Sequence, residues 1–296
     1  MSKKWTTFAL ISTALGAGEA VVYKKMLGGM PFHEVAFVDS LCLAFLFACL
    51  GGWKIKDTSK KGLFYLLVGS LISGIGVFFY FLSLKHLSSI DFSFLGRNHI
   101  LFSVLLAFFF LGERPNKRVW VAMVFAMLGA YFFTFSSLDS STLIGVGCSL
   151  LFCTAYAVRG VFLKLGPPLE TKAIMFWSSI FSVILTGAAS LMMEENFDID
   201  RAFLSSNFVI LAITSWIAQG IGLSLYFKAI MNGQLASISS IRATNPFFVA
   251  VISLCLFSYT WTPFKVLGFA FCSISICLFV WDAWRAPTKL PKLQKS

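Results

Sequence analysis

Seven ionisable side chains lie within long apolar stretches of this 296-residue sequence, where each could bind a charged molecule. They comprise three arginines, three acids and one histidine: Arg97, Arg159, Arg242, Glu19, Asp39, Asp91 and His99. Guanidinium groups bind carboxylates and phosphates, whereas a carboxylate can hold an ammonium group or a proton. Because a charge at the centre of a bilayer costs on the order of 3 kcal/mol, such residues normally face a wet cavity or one another. The balanced signs favour a mixed-charge site for a small polar, anionic or zwitterionic molecule.

Two of these charges occupy matched positions in different apolar stretches. Glu19 lies in the first stretch, and Arg159 is its counterpart in the sixth when Lys24 is aligned with Lys164. Tyr156 shares a helical face with Arg159 at a spacing of three residues. A structural ion pair, or an arginine that extends to the bilayer surface, would explain the same residues without a binding role. We take Glu19 and Arg159 as candidate substrate-binding residues.

The fourth stretch carries the densest polar cluster, with Arg97, Asn98 and His99 in succession. Asn98 lies two helical turns from Asp91 on one face, and Arg97 and His99 point to either side of that face. All three are candidate substrate-binding residues, although a histidine that is simply hydrogen-bonded in the core is the alternative for His99. Asp91 and Asp39 lie near the outer ends of their stretches and are more simply explained as water-facing, interfacial or structural charges.

The ninth stretch holds a polar face that ends in a proline. Ser239, Arg242 and Asn245 recur at a spacing of three, and Pro246 follows them directly. The proline removes a backbone hydrogen bond and frees a carbonyl where this face would meet a cavity. Arg242 is therefore our first choice for substrate contact, and Asn245 is a further candidate whose amide could equally join helices.

Four aromatic residues complete the set of candidate substrate-binding residues. Tyr80 and Tyr226 occupy the same position in two copies of a repeated motif, and Trp177 and Trp216 lie within the seventh and eighth stretches. Helix packing is the alternative for the tyrosines, and a place in the aromatic belt of the bilayer is the alternative for the tryptophans.

The elements that position these residues are apolar stretches long enough to cross a bilayer. The chain is 58% hydrophobic and only 12% charged, with a mean hydropathy of +0.83, so its solvent must be lipid. The stretches, called spans 1 to 10 below, cover roughly 5–23, 35–53, 62–84, 88–111, 118–136, 143–163, 172–193, 206–227, 235–258 and 263–284. The sequence therefore predicts an all-α membrane protein with ten transmembrane helices.

An internal repeat divides the ten spans into two halves. GIGVFFYF at 74–81 returns as GIGLSLYF at 220–227, identical at five of eight positions, and the same shift of 146 residues pairs His99 with Asn245. Because each half has an odd number of spans, the second half must begin on the opposite side of the membrane from the first. The predicted fold class is two inverted five-helix repeats. The repeated glycines lack a strand or a soluble turn around them, so they predict close helix packing and not a phosphate-binding loop.

Several classes of function are excluded by composition and motif. All seven cysteines fall within apolar stretches, so the sequence indicates no disulfide framework, no metal site and no cofactor. It contains no HExxH or GxSxG motif and no ATP-binding motif, which argues against an enzyme. The short basic loops offer no continuous surface for nucleic acid, and the formal charge of +11 is explained by membrane topology and anionic lipid.

The distribution of lysine and arginine predicts the orientation of the chain. With the N-terminus in the cytoplasm, sixteen of these residues fall on the inner side and five on the outer side. This asymmetry predicts that both termini are cytoplasmic. The first apolar stretch lacks a small-x-small cleavage pattern and is interpreted as a retained span and not a signal peptide. A multi-pass protein of the bacterial inner membrane is expected.

The run FFFLGERP at 108–115, which leads into KRVWVAMVFAMLGAYFF, resembles a hallmark of the drug/metabolite transporter superfamily, and specifically of EamA-type proteins. The resemblance implies a first EamA-like repeat at 5–136, a second at 143–284 and a basic cytoplasmic tail at 285–296. It also implies transport. Substrates in that superfamily range over amino acids, their metabolites, nucleotide derivatives and drugs, and some members exchange S-adenosylmethionine-type molecules.

Residues and resemblance together predict a secondary active transporter that works by alternating access. The three arginines favour a substrate with a carboxylate or phosphate, such as an amino-acid derivative or an S-adenosylmethionine-like metabolite. Glu19 could receive an ammonium group or carry a coupling proton, and a counter-substrate is a further expected partner. An exporter of drugs or lipophilic compounds and a structural membrane protein without transport activity remain the alternatives.

Overall fold

The structure is a computed structural model that describes residues 3–54, 59–112, 116–135, 140–167, 169–192, 203, 206–232, 244–259 and 261–285. Its helices are α1 (Lys3–Met26), α2 (Phe32–Cys49), α3 (Lys60–His86), α4 (Ser89–Leu95), α5 (Asn98–Leu111), α6 (Lys117–Phe135), α7 (Ser140–Leu165), α8 (Thr171–Met192), α9 (Ser206–Thr214), a π-helical segment (Ser215–Leu223), α10 (Ser224–Asn232), α11 (Asn245–Leu256) and α12 (Pro263–Arg285).

These helices correspond to the ten predicted spans. Six helical stretches of the described chain are long and apolar enough to cross a bilayer, namely α2, α3, α4 with α5, α7, α8, and α9 through α10. Two shorter apolar helices, α11 and α12, follow them. Together with α1 and α6, these eight helical stretches account for the ten predicted spans. The predicted all-α fold of two inverted five-helix repeats is confirmed.

Span 4 is broken in the middle, which the sequence pattern did not predict. α4 ends at Leu95 and α5 begins at Asn98, and a tighter turn joins them, in which the Gly96 carbonyl accepts from the His99 backbone N–H at 3.3 Å. Side chains add further contacts to these carbonyls: Asn98 Nδ2 donates to the Leu95 carbonyl at 2.8 Å, and His99 Nδ1 lies 2.8 Å from the Gly96 carbonyl. Cys153 of α7 also donates to the Gly96 carbonyl at 3.4 Å. Irregular backbone is tolerated in a membrane only where it is buried in protein or lines a water-filled cavity.

Span 8 is also irregular, because the π-helical segment interrupts it between α9 and α10. π-helical turns are rare and frequently mark functional sites. The segment contains Gln219, which is buried, and two glycines of the repeated motif. Spans 4 and 8 therefore both depart from regular α-helix where polar side chains enter the bundle.

The two halves interlock. In the first half, α3 packs mainly against α7 and α8, which are spans 6 and 7. In the second half, span 8 packs in the equivalent way against α1 and α2, which are spans 1 and 2. The pairs α2 with α8, α4 with α11, and α6 with α12 each join a span to its own counterpart. Exchange of the halves leaves this pattern of contacts unchanged, as expected of a pseudo-two-fold axis in the membrane plane.

The repeated glycines allow these cross-half contacts. A β-carbon built at Gly74 would lie 3.0 Å from the backbone of α8, and one at Gly76 would lie 3.3 Å from side chains of α7. In the second half, a β-carbon at Gly220 would lie 2.7 Å from a leucine of α2, and one at Gly222 would lie 3.4 Å from a leucine of α1. The close packing predicted for the glycines is present in both repeats.

One end of the bundle is tied across the halves by an ion pair. Asp91, at the start of α4, accepts hydrogen bonds from Tyr259 at 2.7 Å, from Ser88 at 2.7 Å and from Lys265 of α12 at 3.3 Å. Burial and the adjacent Asp91 carboxylate raise the pKa of Tyr259, so that its hydroxyl remains protonated and donates. Asp91 is therefore not simply a water-facing charge. We call Asp91, Tyr259 and Lys265 the clasp.

Replacement of Gly74 by alanine should destabilise the protein, because the added methyl group meets the backbone of α8. Overpacking of this kind costs about 1 to 3 kcal/mol. Gly147→Ala is the matched control, since Gly147 is also helical and a β-carbon there meets no atom within 4 Å. It should be neutral or stabilising by up to about 1 kcal/mol. Thermal unfolding in detergent would measure both, and equal midpoints for the two variants would contradict the assigned contact.

Candidate functional site

A cavity lies at the break in span 4 and is bounded by both halves. It has an empty volume of about 620 Å³, which includes the space at its open mouth. Five of the predicted site residues line it: Glu19, Tyr80, Arg97, His99 and Asn245. They come from α1, α3, the α4–α5 break and the start of α11. We call this space the central cavity.

Arg97 is held in a defined orientation by contacts to both halves. Its Nε donates to the Ser93 carbonyl at 2.9 Å, and its Nη2 donates to Asn245 Oδ1 at 3.0 Å. Asn245 Nδ2 in turn donates to the Thr13 carbonyl of α1 at 3.0 Å. This chain of hydrogen bonds joins spans 4, 9 and 1. A guanidinium fixed in this way is preorganised to bind a carboxylate or phosphate, because little side-chain entropy remains to be lost.

Glu19 and His99 add a carboxylate and an imidazole to the central cavity. Glu19 places a carboxylate in the space that Arg97 also lines. The contact between His99 Nδ1 and the Gly96 carbonyl requires a proton on Nδ1, since a carbonyl can only accept. Nε2 is then the acceptor of the neutral ring and a second donor when the ring is protonated. The cavity can therefore present both signs of charge to a bound molecule.

Tyr80 contributes to an aromatic wall of the central cavity. Its ring centroid lies 5.1 Å from that of Phe92 and 5.4 Å from that of Phe152, and both neighbours line the cavity too. The repeat counterpart Tyr226 lies elsewhere. It is buried beside Phe227 in a core cluster and, within the described chain, does not line either cavity discussed here.

A second, smaller cavity contains Arg159, and we call it the Arg159 cavity. Its empty volume is about 300 Å³, which again includes open space, and Tyr156 and Leu223 line it as well as the central cavity. Arg159 Nη1 donates to Ser73 Oγ at 2.6 Å, and its guanidinium lies over the ring of Phe227 at 4.2 Å. Glu19 and Arg159, which are matched in the sequence, therefore lie in adjacent but different cavities.

Three further predicted site residues are not among the described residues that line these cavities. Asn98 is buried and donates to the backbone at the helix break. Trp177 packs against a core cluster, and Trp216 is 39% exposed with its indole N–H donating to the Cys42 carbonyl at 2.9 Å. Neither tryptophan is among the described residues that line the two cavities. Arg242, the first choice from the sequence, lies outside the described residues.

A buried polar cluster next to the Arg159 cavity was not predicted. The Tyr23 hydroxyl donates to Asp39, and Gln219 Nε2 donates to Asp39 Oδ2 at 2.6 Å and to the Tyr23 oxygen at 3.2 Å. Asp39 is 1% exposed, so it is a charge of the bundle interior and not an interfacial one. The available signal was Gln219 itself, a polar residue directly before the repeated GIG motif.

Serines of α8 were also missed. Ser178, Ser179 and Ser182 all line the Arg159 cavity, and Ser182 follows the other two at spacings of four and three residues, as expected of neighbours on a helix surface. Among the residues that the structure describes, no group of three or more His, Cys, Asp or Glu side chains is arranged to hold a metal ion.

Comparison with known proteins supports this architecture. The model of the EamA-like transporter family matches residues 3–135 and again residues 143–281. Protein RarD of Salmonella typhi is 24% identical over 188 residues, which cover 62% of this chain and 60% of RarD, less than two thirds of its length. An uncharacterized transporter of Archaeoglobus fulgidus is 21% identical over 266 residues, covering 89% of this chain and 77% of that protein.

A solved crystal structure with 12% sequence identity superposes with a TM-score of 0.70, covering 98% of this chain and all of that chain. This likeness shows a shared fold. The two family matches correspond to the two halves of the inverted repeat and include every described residue of both cavities. As predicted, the family is one of transporters and not of enzymes. The chain is a multi-pass integral membrane protein that belongs to the EamA-like transporter family of the drug/metabolite transporter superfamily.

Proposed function

We propose that the protein is a secondary active transporter that moves a small polar metabolite through the central cavity by alternating access. The observation that carries this proposal is the position of Arg97 and Glu19 in one cavity, at the break in span 4 and between the two halves. Substrate sites of inverted-repeat transporters form at such discontinuous helices near the bilayer midplane. Both termini are assigned to the cytoplasm, and the membrane to the bacterial inner membrane.

The cavity chemistry favours an anionic or zwitterionic substrate. Arg97 is suited to a carboxylate or phosphate, and Glu19 is suited to an ammonium group or a coupling proton. The wall formed by Tyr80, Phe92 and Phe152 is suited to an apolar or ring-bearing part of the same molecule. Amino-acid derivatives and S-adenosylmethionine-like metabolites combine these features. The aromatic wall is also the feature that favours the alternative, an exporter of lipophilic compounds.

Alternating access requires that contacts between the halves break and reform. The clasp is the clearest such contact, since Asp91 belongs to the first half and Lys265 to the second. In the assigned orientation it closes the outer end of the bundle. A conformation open to the outside must therefore separate these side chains.

Arg97→Ala should reduce the counterflow of a labelled amino-acid derivative or S-adenosylmethionine in proteoliposomes by about tenfold to a hundredfold. The reason is the loss of hydrogen bonds to a charged group, each worth about 1.5 to 3 kcal/mol. Arg97→Lys should restore only part of the rate, because an ammonium group cannot reproduce the bidentate geometry. Initial rates at several substrate concentrations would separate KM from the maximal rate.

Arg118→Ala is the charge-matched control for that experiment. Arg118 is exposed at the start of α6, where its guanidinium lies 5.9 Å from the ring centroid of Trp281. Its removal should leave counterflow within about twofold of the parent rate. The proposal fails if none of these metabolites exchanges, or if Arg97→Ala and Arg118→Ala exchange them at equal rates.

Lys265→Met should shift the protein towards the conformation that is open at the outer end, because it removes the charge-assisted contact to Asp91. In a variant lacking the native cysteines, Ser93→Cys would report this shift, since Ser93 lines the central cavity. Labelling by an impermeant maleimide should be several-fold faster when Lys265→Met is added.

Lys25→Met is the control for the clasp, since Lys25 is an exposed lysine placed on the same side of the membrane. It should leave the labelling rate unchanged. Equal labelling in the Lys265→Met and Lys25→Met backgrounds would show that the clasp does not hold the outer end closed.

A further inference from the structure

Asp39 is a buried acid that the proposed central site does not use. We propose that its carboxylate is a proton-binding site, and that binding and release of this proton couple transport to a pH gradient. The proton site stands on the geometry below, whereas the coupling rests on the proposed transport function. This assignment places the coupling proton on Asp39 and leaves Glu19 for the substrate.

The Asp39 carboxylate is bound by neutral donors from both halves of the protein. Tyr23 of α1 donates to Oδ1, and Gln219 of the π-helical segment donates to Oδ2 at 2.6 Å. Asp39 is 1% exposed, and no residue of the described chain forms an ion pair with it. An ionised carboxylate would therefore be a buried charge without a counter-charge in contact, which is costly in free energy. Binding of one proton removes that cost.

Two charged residues adjoin this cluster, and neither neutralises Asp39. Glu19 of α1 lies one helical turn before Tyr23 and is itself an acid. Glu19 and Asp39 both lie close enough to act electrostatically on Tyr23, so ionisation of both acids at once carries an added cost. Arg159 of α7 lines the same cavity as Gln219 but forms no ion pair with Asp39 in the described chain.

The other helices around Asp39 carry their charges at helix ends. α9 and the π-helical segment contain no ionisable residue, and the basic residues of α1, α3 and α8 lie in the first or last turns of those helices. On α2 itself, His33 and Glu34 belong to the first turn. The remaining ionisable groups of α2 and α3 are a thiol and phenols, which are ordinarily neutral at pH 7, namely Cys42, Tyr65 and Tyr80.

A proton suits this site better than a metal ion does. A metal cation needs several oxygen ligands around it, whereas hydrogen-bond donors already occupy both carboxylate oxygens of Asp39. A proton needs no such space and forms an O–H bond at Oδ2. Rotation of the Gln219 amide by half a turn then places Oε1 where Nε2 lies, so that the amide accepts from the acid. The distance of 2.6 Å between the two side chains suits this O–H···O hydrogen bond.

The proton site lies where the two halves meet. Asp39 and Tyr23 belong to the first half and Gln219 to the second, and Ser215 of the same π-helical segment donates to the Asp39 carbonyl at 3.1 Å. Movement of the halves must change the contact at Oδ2, and the proton exchanges with water when that contact opens. Ser40 and Gln219 line the Arg159 cavity, which has room for a water molecule beside the site.

Infrared difference spectroscopy tests the proton site without transport. The purified full chain in detergent is compared between acidic and alkaline buffers. One component of the carbonyl band of protonated carboxylic acids should appear at acidic pH, disappear at alkaline pH and be missing from Asp39→Asn. Glu34→Gln is the matched control, because Glu34 is a second buried acid of α2, and this variant should retain the Asp39 component. The proton site is overturned if Asp39→Asn removes no titrating component.

Gradient-driven uptake into proteoliposomes tests the coupling. The probe is the labelled metabolite that exchanges in counterflow, with the membrane potential clamped. For one proton per substrate, a gradient of about one pH unit should drive accumulation of up to about tenfold in the parent protein. Asp39→Asn should lose this response in either polarity of the gradient but reduce counterflow far less, because asparagine keeps the hydrogen bonds of the protonated acid and exchange moves no net proton. A merely structural role would lower both rates together.

The outcomes separate this proposal from the transport function. If the parent protein shows counterflow but no response to a pH gradient, or responds to a sodium gradient instead, the coupling is overturned and transport stands. If Glu19→Gln loses the pH response while Asp39→Asn keeps it, the coupling proton lies on Glu19 and the assignment is wrong. If no metabolite exchanges but the Asp39 component titrates, the transport proposal fails and the proton site stands.

Discussion

A polar group inside a bilayer must find its partner within the protein, and this constraint explains most of the interior of this molecule. Where span 4 breaks at Gly96, Asn98 donates to the Leu95 carbonyl, and His99 and Cys153 bind the Gly96 carbonyl. The same requirement draws Asp39 to Tyr23 and Gln219, and Arg97 to Asn245. These polar residues are therefore gathered into hydrogen-bonded networks, whereas several buried serines, such as Ser70 and Ser149, have no hydrogen-bond partner among the described residues.

These networks lie between the halves because the halves interlock. Spans 3 and 8 each pack against spans of the opposite repeat, and the glycines at 74, 76, 220 and 222 allow the helices to approach closely. The cavities are consequently bounded by both repeats. Any relative movement of the halves must change both cavities at once, which is the mechanical basis for alternating access.

The scaffold is symmetric, whereas its side chains are not. Arg97 in span 4 meets Asn245 in span 9 directly, so equivalent spans of the repeat form one contact across the pseudo-two-fold axis. Glu19 and Arg159 are also related by the repeat, yet each lines its own cavity. One cavity presents mixed charge and an aromatic wall, and the other is lined by an arginine and several hydroxyl groups. This difference is what gives a duplicated fold the capacity to orient an asymmetric molecule.

Much of the fold could be predicted from the sequence because lipid imposes simple rules on length and hydrophobicity. The apolar stretches, the repeat and the odd number of spans per half were sufficient for ten helices in an inverted arrangement. The charged and polar residues within those stretches also identified the central cavity in part, since Glu19, Arg97, His99 and Asn245 do line it. The residue types alone predicted a site of mixed charge, because a charged side chain that faces lipid without a partner is too costly to be accidental.

Only the tertiary structure decided which residues share a cavity. The sequence pattern placed Arg159 opposite Glu19 and treated Asp39 and Asp91 as charges near the membrane surface, but packing buried Asp39 and joined Asp91 to Lys265. Tyr80 and Tyr226 hold identical positions in the repeat, yet one faces a cavity and the other the core. Helical periodicity specifies which residues share a face, whereas the neighbour that covers the face is set by contacts between distant spans. That is why the sequence by itself determined the inverted ten-helix scaffold, and the packing of its two halves decided where the scaffold leaves room for a substrate.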